Sequence, residues 1–321
     1  MIHTGFPTGG PTLGEVGERG VIQAIVGAAP SAVNGDDAAV LGPSAPNSRV
    51  VASTDMLVQD RHFSPRYITA YQVGRKAVVQ NFADIEAMGA RPIAALLALS
   101  APPSTPVAVV EELARGVGAM TEAWGAELVG GDVTAGTDLV VSVTAIGSLG
   151  GNLDALRLDR ARPGQRVVAH GAIGCSAAGL ALLQSGVAIP PELEPLVAAH
   201  QTPAITPGRG VVARAAGATA MTDNSDGLIK DLANLASLSG VGIELSSVAL
   251  NPDPLLVRAG KLLGTDPWEW VLAGGEDHTL VGTVDGSAPV GFRSIGTVTR
   301  TPGVRVDGAE PAHTGGWESF A

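Results

Sequence analysis

Short apolar runs in this sequence end on carboxylates, each with a glycine or a hydroxyl residue beside the acid. Arg49 to Ser53 leads into Thr54-Asp55, and Glu127 to Val129 into Gly130-Gly131-Asp132. Ala218 to Thr222 leads into Asp223-Asn224-Ser225-Asp226-Gly227, and Val271 to Ala273 into Gly274-Gly275-Glu276-Asp277. Brief β-branched or Ala-rich runs of this kind predict strands. In open α/β sheets ligands gather outside the carboxyl ends of strands. Acids placed there from several strands would converge, and they would repel one another unless cations neutralised them. Hard oxygen donors without a Cys or His cluster favour Mg²⁺ or Mn²⁺ over zinc. An Asp after a strand also caps helices, so each acid has that second reading, Asp226 before Gly227-Leu228 above all.

Helical spacing separates these runs. It predicts helices over 15–26, 70–89, 107–124, 176–184 and 228–238, with further strands at 93–99, 138–147 and 166–169. Hydrophobic residues make up 45% of the chain and aromatics only 3%, so Ala, Val, Leu and Ile must build the core. That composition suits buried strands and closely packed helices, hence an α/β architecture. The charged stretch Arg157 to Gln165 follows Gly150-Gly151, after which the strand–glycine–helix logic restarts. We expect two α/β domains, 1–152 and 153–321. Asp84 lies inside a predicted helix beside Ile85, where an unpaired charge is costly. Its partner is a buried Arg or a metal, and the metal is the favoured reading.

Several function classes drop out. The net charge is −11 and no run of Lys or Arg occurs, so nucleic acid is not an expected partner. Pro92 to Val110 is uncharged, but Pro102, Pro103 and Pro106 break it, so no membrane association is expected. Cys175 is the only cysteine and no signal-peptide pattern opens the chain, which fits a reducing cytoplasm. Cys175 follows Gly174 at an expected helix start; packing in its Ala/Gly segment is a simpler reading than a stabilised thiolate. Neither a P-loop, a Rossmann glycine motif nor Gly-x-Ser-x-Gly is present.

Six collinear segments together resemble the thiamine-monophosphate kinases. They are Gly35-Asp36-Asp37-Ala38-Ala39-Val40-Leu41, Ser53-Thr54-Asp55-Met56-Leu57-Val58 with His62-Phe63, and Asn81-Phe82-Ala83-Asp84-Ile85-Glu86-Ala87-Met88-Gly89-Ala90. Gly130-Gly131-Asp132, Asp223-Asn224-Ser225-Asp226-Gly227-Leu228 and Gly274-Gly275-Glu276-Asp277 complete the set. The resemblance implies the two-domain fold of the aminoimidazole-ribonucleotide-synthetase-like superfamily, α/β in the broad sense that includes α+β. It also implies a homodimer formed through the N-terminal sheet, with thiamine monophosphate and ATP as substrates and several Mg²⁺ ions.

Carried over by position, the resemblance makes Asp37, Ser53, Thr54, Asp55, Asp84, Asp132, Asp223 and Asp226 the metal ligands. Gly131, Asp132, Arg157 and Ser225 would hold ATP. His62 and Glu276, with Trp317 or Phe320, would contact thiamine monophosphate. The chain departs from the family pattern at Gln59-Asp60, at Val133-Thr134-Ala135 and at Leu158, where Arg157 and Arg160 are the neighbouring cations. The acceptor implied is a phosphate oxygen already ionised at neutral pH, so direct in-line transfer needs no general base and no catalytic side chain is assigned. Another ATP-dependent synthetase on this fold, or a non-catalytic nucleotide-binding dimeric scaffold, stands as the alternative.

Overall fold

The computed structural model describes residues 4–31 and 47–319, and the chain divides into two compact units. One comprises Met1–Ile85 with Pro92–Gly151, the other Glu86–Arg91 with Asn152–Ala321.

The first unit carries α1 (Leu13–Ala28), β1 (Arg49–Val58), α2 (Ala70–Ala87, completed beyond Ile85 in the other unit), β2 (Arg91–Ala101), α3 (Val107–Ala123), β3 (Glu127–Ala135) and β4 (Val140–Leu149). Its four strands lie in the order β1-β4-β2-β3. β1 and β4 run antiparallel from Arg49↔Leu149 to Val58↔Val140, whereas β2 and β3 are parallel. Cross-strand partners share a face. Ser53, Asp55 and Leu57 therefore lie with Ala145, Val143 and Val141, all three buried. The opposite face is open, with Val50 77% and Met56 56% exposed.

The second unit carries β5 (Arg166–His170), α4 (Cys175–Gln184), α5 (Glu194–Gln201), α6 (Arg209–Ala215), β6 (Ala218–Asp223) and α7 (Leu228–Ser239). It continues through β7 (Gly242–Leu245), α8 (Ser247–Leu250), α9 (Pro254–Leu263), α10 (Pro267–Ala273), β8 (Leu280–Val284), β9 (Arg293–Thr299) and β10 (Gly303–Val306). The six strands are ordered β10-β7-β9-β5-β8-β6, parallel at β10–β7 and antiparallel at the other pairings. α7 packs on β6, β7 and β10, and α10 on α4, α7 and α9.

The structure corrects the placement of the acids. β1 does not end at Thr54-Asp55, nor β3 at Asp132; Asp55 and Asp132 are mid-strand. The alternation of faces simply continues through them, since Ser and Thr on one edge of a pleat do not break a ladder. Glu276 and Asp277 follow a helix, α10, instead of a strand. Asp266 caps that helix by accepting from Trp268 N–H at 3.1 Å, and Pro267 opens it. Pro92 to Val110 supplies most of β2 and the start of α3, and among the described residues no helix is long and apolar enough to cross a membrane.

Candidate active site

In the first unit α2 lies against the covered face of β1. Asn81, 1% exposed, anchors its own amide to the Ala77 carbonyl at 2.9 Å and accepts the Asp55 N–H at 2.9 Å. One helical turn on, Asp84 Oδ2 accepts from the Ser53 hydroxyl at 2.5 Å. Asp84 thus has a polar partner on β1. Thr54 points to the open face, where its hydroxyl meets Thr144 at 2.9 Å and the Val143 carbonyl at 3.2 Å. The structure therefore brings Ser53, Asp55 and Asp84 together and turns the Thr54 side chain away.

Asp132 is exposed on β3, opposite Ala98 of β2. Gly131 before it must be glycine, because a Cβ there would overlap the Leu97 carbonyl. β1 and β3 are the two edges of this sheet, so three strand spacings, roughly 14 Å, separate Asp132 from the strand of Ser53 and Asp55. Within this sheet the acids of β1 and β3 thus stand on opposite edges. Among the described residues no group of three or more His, Cys, Asp or Glu could by itself hold a metal ion. Mg²⁺ needs no such cage: it takes one or two carboxylates and completes its shell with water and phosphate oxygens. Ser53, Asp55 and Asp84 are hard donors on one face, and they fit that demand.

His62 follows β1 in a turn, and its Nδ1 accepts the Val58 N–H at 3.0 Å. An amide can only donate, so in the neutral ring the proton sits on Nε2. Arg157 directs Nε and one Nη at Asp159, at 3.0 and 3.2 Å. Asp37 and Phe320 lie outside the described residues.

In the second unit two loops are joined along their backbones. Glu276 N–H donates to the Ser225 carbonyl at 2.8 Å, His278 N–H to Asn224 at 3.0 Å, and Asn224 N–H to Thr279 at 2.8 Å. Asp223, 5% exposed, is 2.9 Å from His278 Nδ1. Asp226 pairs with Lys230 at 3.0 Å and does not cap α7. That role falls to Asp231, whose Oδ2 accepts from the Asp226 and Gly227 N–H groups, both at 3.2 Å. Burial, and then the neighbouring Asp223 and Asp226, push Asp231 up to about 7. Asp277 accepts from Gly174 N–H at 2.6 Å and Ser176 N–H at 2.8 Å, fixing the start of α4, and burial pushes it up to about 7. Burial, with Asp277 and Asp253 nearby, pushes the Cys175 thiol up to about 12, so it is no thiolate at neutral pH.

Glu276 adopts φ 61, and His200, 4% exposed, stands 3.5 Å from its carboxylate. Trp317 is 40% exposed, and its N–H donates to the Asp226 carbonyl at 3.0 Å. Sequence reasoning missed Asn81 as a support of the first unit's face, and Asp231, His278 and Lys230 as supports of the second unit's loops. Only Asp231 left a usable sign, an acid in the first turn of a predicted helix.

These features define the class first: residues 35–149 match the family described as AIR synthase related protein, N-terminal domain. Whole-chain similarity then narrows it. A thiamine-monophosphate kinase of Corynebacterium glutamicum is 60% identical, covering 97% of this chain and 96% of its own. One from Mycobacterium tuberculosis is 46% identical, covering 98% and 94%. A solved structure described as AaThiL complexed with AMPPCP and TMP is 32% identical with a TM-score of 0.77, covering 95% of this chain and 98% of that one. The chain belongs to the thiamine-monophosphate kinase family.

Proposed function

We infer that this protein phosphorylates thiamine monophosphate with ATP, giving thiamine diphosphate and ADP by direct in-line transfer. The observation that carries this is the Ser53–Asp55–Asp84 face, held by Asn81, in a chain similar to these kinases along nearly its whole length. Bound Mg²⁺ would supply positive charge that screens the two polyanions. Ser53, Asp55 and Asp84 present oxygens for it on one face of β1 and α2. Asp132, Asp223 and Asp226 are further ligands in this reading, with Thr54 contributing through its backbone. Gly131, Ser225 and, once released from Asp159, Arg157 are the ATP contacts in this reading.

His62 Nε2–H donates to the acceptor phosphate. Glu276, set by its left-handed backbone, and the Trp317 face receive the cationic thiazolium, to which both are electrostatically suited. The boundary between an ATP-binding and a C-terminal domain belongs near residue 152. Two copies pair through the open face bearing Val50 and Met56, since an apolar sheet face of that kind marks an interaction site. ATP as co-substrate and a single cysteine suit the cytoplasm. A coupled ADP assay with thiamine monophosphate, thiamine and aminoimidazole precursors tests the reading. ADP release dependent on thiamine monophosphate supports it; release only with an aminoimidazole precursor, or none at all, overturns it.

A further inference from the structure

Lys230 occupies an unfavourable place that three acceptors offset. It lies in the first turn of α7, where the helix dipole disfavours a cation. Its ammonium stands 3.0 Å from Asp226 Oδ2 and 3.2 Å from Glu318 Oε1, and it also donates to the Trp317 carbonyl. The Trp317 N–H meanwhile donates to the Asp226 carbonyl at 3.0 Å. Between these anchors the chain passes very close to α7. A Cβ on Gly316 would sit 2.6 Å from the Asp226 carbonyl oxygen and 2.9 Å from Lys230 Cδ, so only glycine can pass there.

We propose that Lys230 is a positioning residue that fixes the Trp317 segment against the Asp223–Leu228 loop, and so sets the affinity for thiamine monophosphate. The proposal rests on the reading of Asp226 as a phosphate-side acid and of Trp317 as a substrate contact. One ammonium holds the carboxylate of the first and the backbone of the second. The indole is thereby placed relative to the acid that orients the phosphates. Each ion pair is exposed and weak when taken singly. The several contacts together, with the amide bond beside them, order a glycine-rich segment that has little side-chain packing of its own.

The test compares Lys230→Met, which keeps the stem and removes the charge, with Lys230→Arg, which keeps both. For Lys230→Met we expect KM for thiamine monophosphate to rise roughly five-fold or more, and by more than KM for ATP. Deuterium exchange at the Trp317 amide should quicken by about ten-fold or more, and Lys230→Arg should restore both readouts by at least half. An unchanged Trp317 exchange rate in Lys230→Met overturns the anchor. Equal rises in both KM values with a lowered melting temperature overturn it too, since they would mark a merely structural lysine. A wild-type protein inactive on thiamine monophosphate would sink the reaction reading instead, and the exchange comparison would then decide the anchor alone.

Discussion

His278 and Asp223 face each other at 2.9 Å, both buried, although 55 positions separate them in the chain. With the carboxylate oxygen as acceptor, it is Nδ1–H that donates in this contact. His278 holds this place with φ 53, a backbone region that non-glycine residues rarely occupy. The pair fixes the end of β6, from which the Asp223–Gly227 loop departs.

Removing the imidazole should leave that carboxylate buried with a lost donor. His278→Ala is expected to lower stability by about 1–3 kcal/mol. It should also raise the Mg²⁺ concentration needed for half-maximal activity. His278→Asn, whose amide can reach toward the same oxygen, should recover part of both. Melting curves and Mg²⁺ titrations check this; an unaltered Mg²⁺ requirement in His278→Ala would mean that the pair is structural only.

Asp84 and Asp132 differ in setting but should fail alike. Asp84→Asn keeps an acceptor for the Ser53 hydroxyl, and Asp132 is exposed, so neither change should disturb folding. Each should cut kcat by about 100-fold or more if, as proposed, its charge holds metal at the phosphates. Melting temperatures without Mg²⁺ should hold or rise, and the stabilisation by Mg²⁺-ATP should shrink. Near-normal turnover in either variant would remove that Asp from the metal shell.

Asp231 gives the fold a pH dependence of definite sign. Its folded value is raised to about 7, so the folded chain keeps a proton that the unfolded chain loses near its ordinary value of about 4. Stability is complete below that lower value, falls as pH rises toward 7, and is level above it. Asp277 shares the window. We expect the melting temperature of the Mg²⁺-free protein to fall between pH 5 and pH 7. In Asp231→Asn the fall should be shallower by at most about 1.4 kcal/mol per pH unit. Identical pH profiles for the two proteins would contradict the assignment.

The candidate residues were legible as a family resemblance because their motifs are local: Ser53-Thr54-Asp55, Asn81 to Gly89 and Asp223 to Gly227 are each contiguous in sequence. Their strand ends were not, since a polar triplet inside β1 looks like a terminus until its partner β4 shows the ladder continuing to Val58↔Val140. Nor was the distance between edges, because sequence order does not reveal that β4 and β2 separate Asp55 from Asp132. Val271-Leu272-Ala273 was too short a run to separate strand from helix, although Asp266-Pro267 just ahead carried a helix-start signal. His278 and Lys230 act on partners distant in sequence, and a lone His or Lys carries no sign of that.

The open sheet face should be where two copies meet. Met56→Asp places a charge beside Ser142 and Thr144 without touching the covered side of β1. We expect wild type to sediment as a dimer and Met56→Asp as a monomer with its secondary structure intact, since an unpaired charge at an apolar interface is costly. A dimeric Met56→Asp would move the interface elsewhere.

The choice of acceptor tests the chemistry most directly. Thiamine offers a hydroxyl whose proton must leave during attack, whereas thiamine monophosphate offers an oxygen already ionised. A base would have to take that proton, and His62 is the candidate by position. Its Nδ1 lone pair is occupied by the Val58 N–H at 3.0 Å, so the neutral ring presents Nε2 as a donor. Asp84 offers no better route, since it already accepts the Ser53 hydroxyl. Thiamine therefore lacks both a base and an already ionised acceptor oxygen. A positioned base is worth about 10²–10⁴ in rate, and we expect turnover of thiamine to be at least about 10³-fold below that of its monophosphate. His62→Gln, whose side-chain amide can still donate, should keep more activity on thiamine monophosphate than His62→Ala. Comparable rates on thiamine and thiamine monophosphate, or equal losses in the two His62 variants, would show that the ring does something other than donate to the acceptor phosphate.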